Sequence, residues 1–422
     1  MAKVFIQTYG CSFNQFDSEA MAGILSYHAH EIVQKPEEAD VVIVNSCTVK
    51  NSAETKLFRD LRKFKDKKVI VAGCVPQAEQ RYIDQQLKDY SIVGTFQIRH
   101  IAHAVEETIN NNRVVLLQHE KEQRVNLPNI RRNSIVQIVP INDGCLSNCS
   151  FCKTKQARGN LFSYDPEAIQ KRVEQAVKEG CKEIWLTSQD AAVYGLDIKT
   201  NLATLLQELV QIEGDFMIRV GMGNPTFFRK YIDDLIEIFQ HPKIFKFFHC
   251  PVQAGNDAVL QDMNRGYTVD LFRKMVGKFQ QAIPALTLST DIIVGFPTET
   301  KEQFEDTTAL VKEIKPDIIN ISRFWPRPGT RAAAMKLLQG SETKARSRIL
   351  TELVEKIGFE KNQRWVGWEG KILIDEGGKN ETMVGRNYAY KPVIVKGNYP
   401  LGTRINVRIE KATWYDLRAM MV

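Results

Sequence analysis

The sequence predicts an α/β protein in three parts: an N-terminal parallel α/β sheet domain, a central partial (βα)6 barrel and a small C-terminal antiparallel β-barrel. Three observations predict it. Short apolar runs alternate with helical patterns from residue 3 to about residue 325, the pattern of parallel strands joined by crossover helices. A polar stretch, HEKEQRVNLPNIRRN at 119–133, holds a proline, lacks periodicity and divides that alternation in two. The last sixty residues turn to short β-rich runs broken by Gly-Gly, Gly-Asn and Pro-Leu-Gly. For 422 residues, at roughly 150 per domain, two to three domains are expected.

In chain order, residues 1–118 form the first domain, with strands at 3–8, 40–45, 68–72, 91–94 and 113–117 and amphipathic helices near 17–27, 51–64, 76–88 and 98–110. Residues 119–133 read as a linker. The barrel runs over 134–340, with strands at 134–140, 183–187, 216–220, 244–248, 286–294 and 318–324 and helices such as 165–179, 201–212, 226–239 and 299–314. Six βα units in a row suit a full or partial barrel, whose active site lies at the C-terminal strand ends. A basic, helix-compatible segment at 341–362 leads into 363–422, where strands are expected at 371–374, 393–396 and 404–409.

Composition narrows the function classes. With 43% hydrophobic and 25% charged residues the chain is ordinarily globular. No apolar run approaches the ~18 residues of a membrane span, and the opening MAKVFIQTYG lacks a signal-peptide layout. A cytoplasmic protein without a membrane partner is expected. Fifty-seven Lys and Arg against fifty Asp and Glu give +7, a mild excess compatible with nucleic acid. The eight cysteines are too few for a disulfide scaffold. That leaves core packing, nucleophiles or metal ligands.

Cys145, Cys149 and Cys152 stand in NDGCLSNCSFCKT, directly after the first barrel strand, with Phe151 just before the third cysteine. Three thiolates in so short a loop can hold three corners of a cluster and are one ligand short of a closed zinc site. The open fourth position is free for something else. Cys11, Cys47 and Cys74 are far apart in sequence, yet each falls at the C-terminal end of a predicted strand. In a parallel sheet those ends share an edge, so the three can converge as a second ligand set. Each taken alone reads equally as a small buried core residue. Cys181 and Cys250 are assigned to packing, Cys250 with a possible place beside a substrate pocket.

The C-x3-C-x-aromatic-C loop resembles the signature of radical S-adenosylmethionine enzymes, and TSQDAAVYG (187–195), HCPVQAGND (249–257), TDIIVGFPTET (290–300) and FWPRPGT (324–330) at later strand ends reinforce the resemblance. Joined to a three-cysteine N-terminal domain and a C-terminal domain similar to TRAM, the whole chain resembles the methylthiotransferases. CKTKQARGNLFSY, EIWLTSQD and FWPRPGT look like the archaeal and eukaryotic branch that modifies tRNA carrying threonylcarbamoyladenosine. Departures are Cys250 and Ala254, where an aliphatic residue and Ser are expected, and Ala192 in place of Gly.

The resemblance implies two 4Fe-4S clusters, one on Cys145, Cys149 and Cys152 and one on Cys11, Cys47 and Cys74, with S-adenosyl-L-methionine on the open iron of the first. The first would pass an electron into that cofactor to release a 5′-deoxyadenosyl radical; the second would carry the sulfur that is methylated and transferred. The implied reaction inserts sulfur and a methyl group at C2 of N6-threonylcarbamoyladenosine beside the anticodon. The alternative is the same transfer to isopentenyladenosine or to a ribosomal protein side chain. The implied partners are the tRNA anticodon stem-loop, an unidentified electron donor and an unidentified sulfur source.

Further candidates for cofactor contacts are Phe151, Ser188, Gln189, Asp190, His249, Gln253, Gly295 and Arg219. Each has a plainer reading: a helix N-cap for Ser188 or Asp190, a core histidine, an ordinary turn at Gly295, and a structural ion pair instead of a carboxylate or phosphate for Arg219. Residues 363–422 carry ten basic against six acidic side chains, and Trp365, Trp368, Tyr388, Tyr390 and Trp414 offer faces for stacking bases. Arg131–Arg132 and Lys344, Arg346 and Arg348 are expected to extend that surface.

Overall fold

Parallel pairing organises the first domain of the computed structural model, which describes residues 1–48 and 51–422. Its strands are β1 (Lys3–Thr8), β2 (Glu31–Ile32), β3 (Val41–Ser46), β4 (Lys68–Gly73), β5 (Ser91–Gly94) and β6 (Val115–Leu116), in the order β2-β1-β3-β4-β5-β6. Val-Val-Ile-Val-Asn-Ser of β3 is buried at every position, as a central parallel strand covered on both faces must be. Helices Ser12–Tyr27 and Ile101–Ile109 cover one face; Leu57, Leu61 and Ile83 cover the other.

The predicted helix at 76–88 is two pieces, Cys74–Ala78 and Gln80–Gln85, interrupted at Glu79. The break has a reason: it delivers the buried Glu79 carboxylate to Lys153, in the barrel's cysteine loop. Residues 119–133 contain no helix or strand, but Arg124 and Val125 within them are fully buried, so the segment packs between the domains.

The barrel begins with β7 (Val136–Pro140), followed by a small hairpin-like pair, β8 (Asn142–Asp143) and β9 (Phe162–Ser163). β10 (Glu183–Thr187), β11 (Met217–Val220), β12 (Phe247–His249), β13 (Thr287–Val294) and β14 (Ile318–Arg323) complete it. Hydrogen bonds join β7-β10-β11 and β12-β13-β14, and a parallel bridge between Ile218 and Ile244 links the halves. β7 and β14 do not pair, which makes this six-stranded barrel a partial one. Its helices start on defined caps: Asp165 accepts from Glu167 N with Pro166 following, and Thr300 with Gln303 forms a capping box. Helical expectation at 226–239 divides into Pro225–Phe228 and Ile232–Phe239.

Helix Gly340–Gln363 leads to a closed barrel of β15 (Glu369–Gly377), β16 (Thr382–Arg386), β17 (Pro392–Lys396), β18 (Arg404–Ala412) and β19 (Leu417–Met421), around Ile372, Ile374, Val393, Val407 and Leu417. β16 and β19 lay outside the expected runs, and β17 pairs with β19 in parallel. Among the described residues no helix is long and apolar enough to cross a membrane.

Candidate active site

The loop after β7 is shaped by its glycine and held by side chains from later strands. Gly144 has φ +74°, and a Cβ there would lie 2.1 Å from Asn160 O, so only glycine fits. Its N–H donates to Gln189 Oε1 at 2.6 Å. The Cys145 sulfur receives Ser147 N at 3.3 Å and lies 3.6 Å from Asp190 Oδ2. The Cys149 sulfur receives Arg265 Nη1 at 3.2 Å. Burial pushes the Cys145 and Cys149 thiols well up, and the Arg265 guanidinium opposes this at Cys149. Asp190 is itself raised to about 6 by burial, opposed by the N–H groups of Asn224 and Ala192.

A cavity of about 770 Å³ opens over this loop, large enough for a cofactor and part of a substrate. Phe151, Gln189, Asp190, His249 and Gln253 line it together with Cys145, Cys149, Cys152 and Cys11. His249 Nε2 lies 3.0 Å from Asp291 Oδ1, which also accepts from Asn320 Nδ2 at 2.7 Å, giving the cavity a fixed polar wall. Gln253 has φ +71°, a conformation costly for a residue with a Cβ. Parallel bridging to Ile292 maintains it.

The three N-terminal cysteines do converge. Each follows one of the adjacent strands β1, β3 and β4. Asn14 Oδ1 lies 3.8 Å from the Cys11 sulfur and 3.7 Å from that of Cys74. A Cβ on Gly10 would be 3.1 Å from the Cys47 sulfur. The edge that carries them faces the barrel: Ser12 Oγ and Thr187 Oγ1, at the end of β10, are 2.6 Å apart. Between the two cysteine sets lies a buried ionic network. Arg124 pairs with Asp17 at 3.0 Å and with both oxygens of Asp143 at 2.7 Å; Arg158 pairs with Asp17 at 2.6 Å; Tyr164 donates to Asp143 at 2.6 Å.

Both sets offer three soft sulfur donors, and the N–H groups of Ser147 and Arg265 directed at sulfur suit thiolates, so the residues fit iron–sulfur clusters of the three-cysteine kind. Among the described residues no three His, Cys, Asp or Glu side chains converge on a single ion position. A cluster does not need that, because its thiolates bind separate irons.

Three expected site residues lie elsewhere. Ser188 is not among the cavity-lining residues, and its buried hydroxyl has no hydrogen-bond partner among the described residues. Gly295 does need a close approach, but the neighbour is Thr343 of the chain's own long helix, 2.5 Å from where a Cβ would lie. Arg219 sits among Trp185, Phe247 and Tyr390 at 5.1–5.3 Å. Tyr390 comes from the C-terminal domain, so this cation fastens that domain to the barrel. Other corrections concern the RNA surface. Tyr390 is buried; Arg346 is buried against Glu299 and Glu342; Arg131 pairs with Glu179. Lys344, Arg348 and Trp414 are exposed. Cys181 and Cys250 are buried in the barrel core.

Sequence reasoning missed Asn14, Arg124, Arg158, Arg265 and Asp291. Arg158 and Asn14 carried a local signal, standing six residues after Cys152 and three after Cys11.

Barrel, cysteine loop and appended small barrel together define a class. Residues 139–311 match the Radical SAM superfamily and 363–422 the TRAM domain, while 3–94 match Uncharacterized protein family UPF0004. The superfamily match supports an iron–sulfur cluster and S-adenosylmethionine as cofactors of the barrel. The radical S-adenosylmethionine methyltransferase TsrM from Kitasatospora setae shares this fold, with TM-score 0.56 at 12% identity over 78% of this chain and 77% of its own. The probable threonylcarbamoyladenosine tRNA methylthiotransferase of Pyrococcus horikoshii is 42% identical over 400 residues, 94% of each chain. The human threonylcarbamoyladenosine tRNA methylthiotransferase is 40% identical over 408 residues, 94% of this chain and 70% of its own. The chain belongs to the threonylcarbamoyladenosine tRNA methylthiotransferase family.

Proposed function

We propose that this protein is a cytoplasmic enzyme that inserts a methylthio group at C2 of N6-threonylcarbamoyladenosine, adenosine-37 beside the anticodon of tRNA. The observation that carries the reading is the shared cavity: Cys11 lines the same space as Cys145, Cys149 and Cys152, as transfer from one cysteine set to a substrate activated at the other requires. Cys145, Cys149 and Cys152 would hold one 4Fe-4S cluster and Cys11, Cys47 and Cys74 a second. When bound, these clusters and S-adenosylmethionine supply one-electron cleavage of an unactivated C–H bond together with the transferred sulfur and methyl.

The chain's own residues bind, orient and exclude water. Gln189 and Asp190 border the cysteine loop and are the groups for the methionine portion of the cofactor. His249, Asp291 and Asn320 form a preorganised wall for the polar substituent of the base. Phe151, Phe324 and Trp325 supply the apolar lining that keeps water out. The 363–422 domain would hold the anticodon stem-loop. The electron donor and sulfur source are separate partners of unknown identity.

The test is nucleoside mass analysis of tRNA lacking the methylthio group, after anaerobic incubation with reconstituted protein, reductant and S-adenosylmethionine. A methylthio mass gain on threonylcarbamoyladenosine is expected. Formation of 5′-deoxyadenosine with no gain on any nucleoside would overturn the substrate assignment.

A further inference from the structure

We infer that Arg158 is a positioning residue for the N-terminal cysteine set, its guanidinium placed to raise the reduction potential of a cluster held by Cys11, Cys47 and Cys74. This rests on the two-cluster reading and adds to it an electrostatic control exerted from the barrel. Arg158 ends the short helix Thr154–Arg158, six residues after Cys152, and so belongs to the barrel's cysteine loop. Its side chain nevertheless leaves the barrel and is 2% exposed against the other domain. Nη2 donates to Asn14 Oδ1 at 3.3 Å and to Asp17 Oδ2 at 2.6 Å. That same Asn14 oxygen is 3.7 Å from the Cys74 sulfur and 3.8 Å from the Cys11 sulfur. The amide is fixed from its other end, since Asn14 Nδ2 donates to Ser46 O at 2.7 Å, one residue before Cys47. One positive charge therefore stands a single atom beyond two of the three sulfurs, and the amide that relays it is anchored to Ser46, beside the third.

The surroundings fix the sign. The site is buried, where a charge acts at low effective dielectric, and Arg158 and Cys74 are themselves both buried. Reduction adds an electron to the cluster, so a nearby cation stabilises the reduced form. Asp17, bonded to the same Nη2, acts in the opposite sense. Arg124, the other cation of the network, bonds Asp17, Asp143 and Thr95 O instead of Asn14. Arg158 therefore joins the barrel's cysteine loop to the N-terminal set through Asn14.

The experiment uses the full chain carrying C145A, C149A and C152A, so that any iron signal comes from the N-terminal set, and follows its reduction by EPR against ambient potential. R158Q is expected to lower the reduced-to-oxidised ratio at least tenfold at a fixed potential, about 59 mV for a one-electron couple. R158K, which keeps the charge, shifts it less. D17N removes the opposing charge and shifts it upward. Opposite signs for R158Q and D17N are not produced by mere loosening of the fold, and if R158Q loses its iron the upward shift in D17N still decides. Unchanged potentials in D17N and in every iron-loaded Arg158 variant would overturn the inference. Absence of iron from the background protein would instead overturn the two-cluster reading on which it stands.

Discussion

At the scale of single residues, Arg265 and Trp325 have the most exposed consequences. Arg265 is half-buried and bonds the Cys149 sulfur, Pro251 O and Tyr267; a hydrogen bond involving a charged group is worth roughly 1.5–3 kcal/mol. R265Q should therefore lower iron retention by the barrel set about ten- to a hundredfold, measured as iron per chain during dialysis against a chelator, with R265K intermediate. Trp325 is 51% exposed and lines the cavity at its outer part, beside Arg327. Stacking of an unpaired base is worth roughly 1–3 kcal/mol, so W325A should raise KM for tRNA about ten- to a hundredfold in steady-state assays, while 5′-deoxyadenosine formation without tRNA is unchanged. At this scale the sequence announced the cysteines, because their spacing or their position after strands is local. It was silent on Arg265, whose role exists only through a partner 116 residues away, and on Asn14, which joins Cys11 to Cys74, 60 residues from it.

Elements add their own predictions where domains meet. Arg124 lies in a segment that reads as a polar linker, yet its guanidinium joins Asp17 of the first domain to Asp143 of the barrel. Removing one member of a buried charged network strands the others, at a cost of about 3–5 kcal/mol; R124M should lower Tm markedly in thermal unfolding and expose 119–133 to protease. At the opposite end of the barrel Glu183 faces Asp375, Arg386, Arg219 and Tyr390, and burial with the Asp375 charge raises it to about 7 from 4.5. Because the folded-state value is the higher one, the stability contributed by protonated Glu183 is complete below about 4.5 and is lost as pH rises through about 7. The change is at most about 3 kcal/mol. E183Q should match the natural chain near pH 4 and be more stable at pH 8, by denaturant midpoints at the two values. Strand–helix alternation made β1, β3, β4, β5 and the barrel strands legible because each pairs a short apolar run with a periodic neighbour. The division of 76–88 at Glu79 and the packing of 119–133 were not, since both answer to charges supplied from elsewhere in the chain.

In the whole molecule, two cysteine sets from two domains meet at one cavity. The direct measurement compares the natural chain with C11A/C47A/C74A, each reconstituted anaerobically and assayed together for iron, 5′-deoxyadenosine and methylthio product on tRNA. The variant is expected to keep the barrel's share of the iron and still form 5′-deoxyadenosine, with no methylthio product. Methylthio product from the variant, at the rate of the natural chain, would contradict the two-cluster reading.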